Sequence, residues 1–231
     1  VEPPFEILFE DNHCVAVDKP PGALSTHYEG KEVTVDRVVK SYLKEKYHKP
    51  GNVFLGVVHR LDRPTSGVLL FARTSKAAAR LARQFRDGAV DKVYWAMVEG
   101  DVQRAAGSLE DWLLKDTETG RVEVVEPDTP GARQALLHYR RRAHHGGLTW
   151  LEVRPQTGRT HQLRVQLAHH GCPVYGDAKY GAVHTFGKAI GLHARSLTFL
   201  HPVRYDPLTL TAEPPRPWRG RFAYLFREGQ P

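Results

Sequence analysis

Nine consecutive residues, His59-Arg60-Leu61-Asp62-Arg63-Pro64-Thr65-Ser66-Gly67, set one carboxylate between two guanidinium groups. Apolar runs flank it, Val53-Phe54-Leu55-Gly56-Val57-Val58 before and Val68-Leu69-Leu70-Phe71-Ala72 after. Runs of that length bounded by turn residues read as strands of a buried sheet. Asp62 therefore sits on a short loop at the edge of a core, where rigid strands hold it in place. A carboxylate there can act as a nucleophile or a base. Taken alone, the same residues also make an ordinary turn, because Asp, Thr and Ser bond their own backbone. A carboxylate that works while partly buried needs a nearby cation, since desolvation favours its protonated form. The segment Gln156-Thr157-Gly158-Arg159-Thr160-His161-Gln162-Leu163-Arg164 offers guanidinium groups on or just before an expected helix.

Four segments resemble one family. The nine residues around Asp62 are similar, at every fixed position, to the His-Arg-Leu-Asp-x-x-Thr-Ser-Gly signature of the RluA-type RNA pseudouridine synthases. The segment ending at Arg164 resembles that family's Thr-Gly-Arg-x-His-Gln-Leu-Arg, and Lys92-Val93-Tyr94-Trp95-Ala96-Met97-Val98-Glu99-Gly100 resembles its Lys-x-Tyr-x-Ala-x-Val-x-Gly strand. Asp18-Lys19-Pro20-Pro21-Gly22 resembles its Lys-Pro-x-Gly motif, which looks mainly structural. Gly176-Asp177-Ala178-Lys179-Tyr180-Gly181 and Leu192-His193-Ala194 also match family segments. The likeness runs from about Ile7 to Leu210. Leu137 stands where relatives usually carry Thr, and the S4-type domain that precedes the catalytic domain in many relatives is not expected here.

The resemblance implies roles. Asp62 is the catalytic carboxylate and Arg164 the guanidinium that pairs with it. Tyr94 stacks on the target base and is a candidate for taking its C5 proton, which suits a flat ring carrying a phenol. Arg60 enters the RNA and helps hold the target nucleotide out of its helix, as chemistry on a stacked base requires. Arg63, Arg159 and His161 are expected on the substrate side, and Leu192 in the wall of the base pocket. The reaction would break the bond from ribose C1′ to uracil N1, turn the base, and join C1′ to C5. It involves no redox change and needs no cofactor.

Composition sets outer limits. The 231 residues carry a net charge of +7, which favours polyanionic partners through counterion release. No long apolar run predicts a transmembrane helix, and the first residues, Val1-Glu2-Pro3-Pro4, do not read as a signal peptide, so a cytoplasmic protein is expected. Cys14 and Cys172 fit no zinc-ligand spacing and are expected as reduced thiols. Thirteen histidines invite a metal reading, but His144-His145 and His169-His170 are adjacent pairs that diverge. His161 and His169 have nothing beside them to complete a ligand set, so no metal is expected.

The remaining elements must position these groups. Glu6–Phe9 and Cys14–Val17 read as a hairpin. Thr34 starts a helix striped by Val35, Val38, Val39, Tyr42 and Leu43. Thr74 or Ser75 starts a second, with Leu81 and Phe85 inward and Gly88 past its end. From Asp91 to Gly100 the strand alternates Val93, Trp95 and Met97 against Tyr94, Ala96 and Val98. Strands are expected at Arg121–Val125, at Gln134–Tyr139 and Leu148–Val153 around a basic turn Arg140–Gly147, and at Ser196–Leu200 and Leu208–Thr211. Thr160 is expected to cap a third helix ending near His170, with Leu163 and Leu167 facing the core. Strands outnumber helices without regular alternation. The expected class is α+β: residues 1–231 as a single domain with a large mixed or antiparallel β-sheet flanked by helices and loops, the pseudouridine synthase fold.

The reading that follows is an enzyme, a monomer, isomerising specific uridines of tRNA or rRNA to pseudouridine. Arg63-Pro64 resembles the branch acting on tRNA. A non-catalytic RNA-binding or RNA-folding factor on the same scaffold is the alternative, but it gains little from a buried carboxylate near phosphate. A hydrolase of nucleosides or sugars ranks last, because no second carboxylate accompanies Asp62.

Overall fold

A computed structural model describes residues 3–26 and 32–229. The elements in chain order are β1 (Ile7–Glu10), β2 (Cys14–Lys19), α1 (Val35–Lys46), β3 (Gly56–Val57), β4 (Ser66–Ala72), α2 (Ser75–Arg86), β5 (Asp91–Glu99), β6 (Ala106–Lys115) and β7 (Val122–Val125). They continue with β8 (Arg133–His145), β9 (Leu148–Pro155), α3 (Gln162–His169), a 3-10 turn at Ala178–Tyr180, β10 (Leu192–Leu200), β11 (Pro207–Thr211), α4 (Arg216–Arg221) and α5 (Ala223–Glu228). The α+β, sheet-dominated class expected from the sequence is the one adopted. No helix among the described residues is long and apolar enough to cross a membrane. The chain divides into two compact units, one running to Lys92 and taking in Ala194–Pro214, the other Val93–His193 and the residues from Pro215.

In the first unit β1, β2 and β4 are antiparallel neighbours, with Cys14 opposite Ala72 and Lys19 opposite Gly67. β3 pairs with the last two residues of β4, and β11 with β10. Every residue of β4 is buried, as its unbroken apolar run requires. Leu70, Leu81 and Phe199 share one apolar cluster, so α2 lies on this sheet through the face its spacing predicted. Thr74 caps α2 by accepting Ala77 N–H at 3.1 Å, and Gly88 follows it in the left-handed region at φ +70°. Thr34 does precede α1, but its hydroxyl donates to the Asp36 carboxylate instead of accepting an amide.

The expected strand Val53–Val58 shrinks to the two residues of β3. A side chain takes over its pairing: His59 Nε2 accepts the Leu70 N–H at 2.9 Å. Gly67, last of the nine signature residues, has φ +110°, and a Cβ there would fall 2.2 Å from the Ala194 carbonyl oxygen. Gly67→Ala combines left-handed strain with a backbone clash. It is expected to lower stability by about 3 kcal/mol or more, read as a shifted denaturation midpoint at unchanged slope.

The second unit is an antiparallel sheet in the order β5-β9-β8-β6-β7. The β8–β9 hairpin turns on Gly146 and Gly147, at φ +57° and +73°, the two left-handed positions a tight hairpin demands. The basic stretch Arg140–His145 therefore belongs to β8, not to the turn. β5 buries both sides as its alternation predicts: Met97 packs with Trp150 and Trp218, while Ala96 and Val98 pack with Leu151 and Leu163.

α3 begins at Gln162, not after Thr160. Its N-cap residue is His161, held at φ +51°. No side chain caps the helix; Gln162 instead ties down the approach, its Oε1 accepting Arg159 N–H at 3.0 Å and the Thr157 hydroxyl at 2.8 Å. Leu163 and Leu167 enter one apolar cluster and Val165 another, so α3 is buried on two sides. Its fully buried Gln166 ties it to the sheet, donating to Asp111 Oδ2 at 2.7 Å and to the Leu109 and Ala135 carbonyls at 3.2 Å.

Candidate active site

The first unit presents Asp62 on a loop stitched down at nearly every residue. Ser25 Oγ donates to the Leu61 carbonyl at 2.7 Å and accepts Leu61 N–H at 3.1 Å. The Asp62 carbonyl accepts Thr65 N–H at 3.0 Å, closing the turn. The Arg63 carbonyl accepts Gly22 N–H at 2.8 Å and the Lys19 ammonium at 3.1 Å. Burial alternates on the approach: Arg60 is exposed, Leu61 buried and Asp62 half-buried. Arg63 is exposed, with Nε donating to the Gly22 carbonyl at 3.1 Å and Nη2 3.1 Å from Glu32. A carboxylate fixed this way is preorganised, because its supporting backbone has no slack.

Lys19 matters more than its motif suggested. It is fully buried, and its ammonium donates to three carbonyls, those of Pro20 (3.0 Å), Ala23 (2.8 Å) and Arg63. Burial pushes it down to about 7; the Asp62 and Asp18 charges pull it back up, and Arg63 adds to the push. Asp18 beside it is pushed up to about 6 by burial, with Glu6 adding to the rise. In the folded protein Lys19 gives up its proton near pH 7; in the unfolded chain it does so near 10.5. Between those values the unfolded state binds more protons, so Lys19 makes stability rise with pH. Lys19→Met is expected to flatten the rise in denaturation midpoint between pH 7 and 10. Equal slopes for the two proteins would contradict this.

His59 is held neutral. Burial pushes it down to about 3, with the Lys92 charge adding to the shift. Its ring stacks on Phe85 at 4.6 Å. It is an anchor between the loop and β4.

In the second unit Tyr94 lies half-buried on β5 and packs against the apolar cluster that contains Leu192, Leu163 and Ala96. The buried Arg164 is gripped by the buried Asp177: Nε lies 2.6 Å from Oδ2 and Nη2 2.8 Å from Oδ1. This fork takes two of the five N–H donors of a guanidinium and fixes its plane. Tyr180 lies beneath it, ring centroid 5.0 Å from Arg164 Cζ. The Tyr180 hydroxyl accepts Val122 N–H at 3.2 Å and shares a 2.6 Å hydrogen bond with His161 Nδ1. Half-buried His161 thus joins the buried Arg164, Asp177 and Tyr180 in one network. Arg159 stands apart on the surface, its Nε donating to the Gln134 carbonyl at 2.9 Å. Sequence reasoning pointed to the segment holding Asp177 and Tyr180 without giving either a role, and it did not pick out Ser25.

Two other features have some of the parts of a site. Asp11, Cys14 and His201 bring ligand-type atoms within 4.8 Å of one another. Yet His201 Nδ1 accepts two backbone amides while Nε2 faces Asp11 at 2.7 Å, so both ring nitrogens are engaged. Burial also pushes the Cys14 thiol up to about 12, far from a metal-binding thiolate. Both cysteines are free and buried. A cavity of about 390 Å³ opens at the C-terminal end of α3, lined by Tyr139, Leu167, His170 and Cys172 among others; it includes none of the expected site residues.

Comparison with known proteins agrees with the motifs. Residues 13–169 match the family model described as RNA pseudouridylate synthase. The chain is 37% identical over 207 residues to the dual-specificity RNA pseudouridine synthase RluA of Vibrio vulnificus, covering 87% of this chain and 80% of that one. It is 34% identical to the ribosomal large subunit pseudouridine synthase D of Xanthomonas campestris, over 92% of this chain and 66% of that one. It is 35% identical to the tRNA pseudouridine synthase C of Pectobacterium carotovorum, over 94% and 61%. The chain thus spans slightly less than two thirds of the length of the last two. Among solved structures, human RNA pseudouridylate synthase domain containing 4 superposes with a TM-score of 0.78 at 24% identity, covering 96% of this chain and 92% of that one, which shows the shared fold.

Proposed function

The chain belongs to the RNA pseudouridylate synthase family, and we propose that it isomerises uridines of tRNA or rRNA to pseudouridine with Asp62 as the catalytic carboxylate. The observation that carries this reading is the stitched loop: a half-buried Asp62 whose neighbours Leu61 and Arg63 are held by Ser25, Gly22 and the buried Lys19. Such rigidity serves chemistry on one atom and is more than binding alone needs.

In the proposed reaction the target uridine leaves its stack, with Arg60 helping to hold it out. Asp62 acts as nucleophile or base as the C1′–N1 bond breaks. The detached uracil is kept between Tyr94 and the apolar wall that includes Leu192, then turns. C1′ bonds to C5, the C5 proton leaves, with Tyr94 as its candidate acceptor, and N1 gains a proton. Atoms and electrons balance without a cofactor. Arg164 is the cationic partner of Asp62, its plane set by Asp177 and Tyr180. Arg63, Arg159 and His161 face the RNA. Residues 1–231 act as one catalytic domain and as a monomer. The net charge of +7 supports a polyanionic substrate, and the two reduced thiols support a cytoplasmic setting.

The test is to map pseudouridines in cellular tRNA and rRNA by carbodiimide-blocked reverse transcription, with and without the gene. Stops that vanish with the gene and return with wild-type protein, but not with Asp62→Asn, are expected. An unchanged stop pattern in both RNA classes would overturn the reading.

A further inference from the structure

The β10–β11 hairpin turns through His201–Asp206, with Leu200 opposite Pro207. Its loop is rigid. The fully buried His201 accepts Val203 and Arg204 N–H groups on Nδ1 and donates from Nε2 to Asp11. Tyr205 N–H returns to the His201 carbonyl at 2.9 Å and His201 N–H reaches the Asp206 carbonyl at 2.8 Å. On the α2 side, Gln84 bonds both backbone groups of Leu200 at 2.8 Å, and Arg80 Nη1 donates to the Pro202 carbonyl at 2.6 Å.

On this loop Tyr205 adopts φ +64°, a left-handed position where glycine or asparagine is the low-energy choice. The turn itself therefore gives no reason for a tyrosine. Neither does the core, since 57% of the residue is exposed. The ring is nonetheless fixed, with Arg80 Cζ 5.3 Å from its centroid. Exposed Lys76, Arg83 and Arg86 extend the basic surface of α2, although Arg83 and Arg86 share Asp87. A preorganised aromatic face backed by a guanidinium and edged by cations suits a nucleobase and its phosphate.

We propose that Tyr205 and Arg80 form a stacking platform for an unpaired nucleotide of bound RNA. It rests on the RNA-substrate reading above. Gly67 abuts Ala194, and Leu200 lies six residues further along β10, so the base of the platform stands about 20 Å from Gly67 at 3.3 Å per strand residue. The RNA held there is remote from the reacting uridine. The platform accordingly acts on affinity and not on the chemical step.

The probe is a fluorescein-labelled, single-stranded RNA 20-mer of mixed sequence, titrated by anisotropy at several salt concentrations. Tyr205→Gly relieves the left-handed strain, so it should melt no lower than wild type and yet bind about tenfold more weakly. Tyr205→Phe keeps the face and should stay within about twofold. The salt slope should be unchanged in Tyr205→Gly and fall by about one in Lys76→Gln, as stacking and phosphate contact respectively require. Equal affinities for wild type and Tyr205→Gly would overturn the proposal. So would equal affinities accompanied by a self-association that Tyr205→Gly abolishes, which would make the loop a protein contact. Failure of the isomerase reading would appear elsewhere, as absent C5-proton release from every RNA, while the 20-mer comparison still decides the platform.

Discussion

Asp62→Asn is expected to lower turnover by at least about 10⁴-fold, with RNA affinity changed by less than about threefold. The substitution preserves volume and every backbone contact of the loop: the Ser25–Leu61 pair, the Gly22 and Lys19 bonds to the Arg63 carbonyl, and the Asp62–Thr65 turn. Only the charge and the nucleophilic or basic oxygen are removed. A 10⁴-fold loss corresponds to about 5.5 kcal/mol of transition-state stabilisation. That is a reasonable loss where one group both stabilises charge and moves bonds. Residual turnover above about 1% would assign the chemistry to another residue.

Asp177→Ala is expected to lower Tm by about 6–20 °C and to reduce turnover in the fraction that remains folded. Asp177 and Arg164 are buried together, and two short bonds join them. Removing one partner of a buried pair costs about 3–5 kcal/mol. For a chain of this size each kcal/mol moves Tm by about 2–4 °C. Asp177→Asn keeps the shape and one acceptor, so its Tm should fall between the two. Because Arg164 is the proposed partner of Asp62, Asp177→Asn should also reduce kcat at temperatures where it is fully folded, with little change in KM. A Tm within about 2 °C of wild type for Asp177→Ala would show that the fork contributes little to the fold.

Local pattern was legible wherever the local sequence decided the outcome. β5 was readable because both its faces are covered, so the alternation of Val93, Trp95 and Met97 against Tyr94, Ala96 and Val98 is apolar throughout. α2 was readable from Thr74 and Gly88, which do at its ends what their types predict. β6 was missed. Ala106–Lys115 mixes small, acidic and apolar residues, and it is a strand because β8 and β7 pair with its two edges. The basic stretch of β8 looked like a turn because five charged or imidazole side chains stand close together. The Gly146-Gly147 pair beyond it sets the hairpin, so the turn falls later. α4 and α5 went unseen: each has only six residues, and they exist by packing Trp218, Phe222 and Leu225 beside Trp150.

For the site, motif types named the residues but not the bonds between them. Thr160 offered a capping hydroxyl, yet no side chain caps α3, and Gln162 instead ties down the segment before it. Arg164 was assigned one carboxylate by resemblance, while the fork to Asp177, thirteen residues on, leaves no mark in local periodicity. Lys19 was read as structural, which its three carbonyl bonds support, but nothing in its neighbours foretold complete burial of an ammonium beside the loop of Asp62. Polar pairing across long sequence separations is set by the fold, so it becomes visible only with the fold.

The most direct measurement uses unmodified tRNA and rRNA transcripts carrying tritium at uracil C5, incubated with the wild-type protein and then digested to nucleosides. The account predicts tritium released to water in a one-to-one ratio with pseudouridine formed, and none from Asp62→Asn. Retained label in every transcript, or label leaving with free uracil and no pseudouridine, would contradict it.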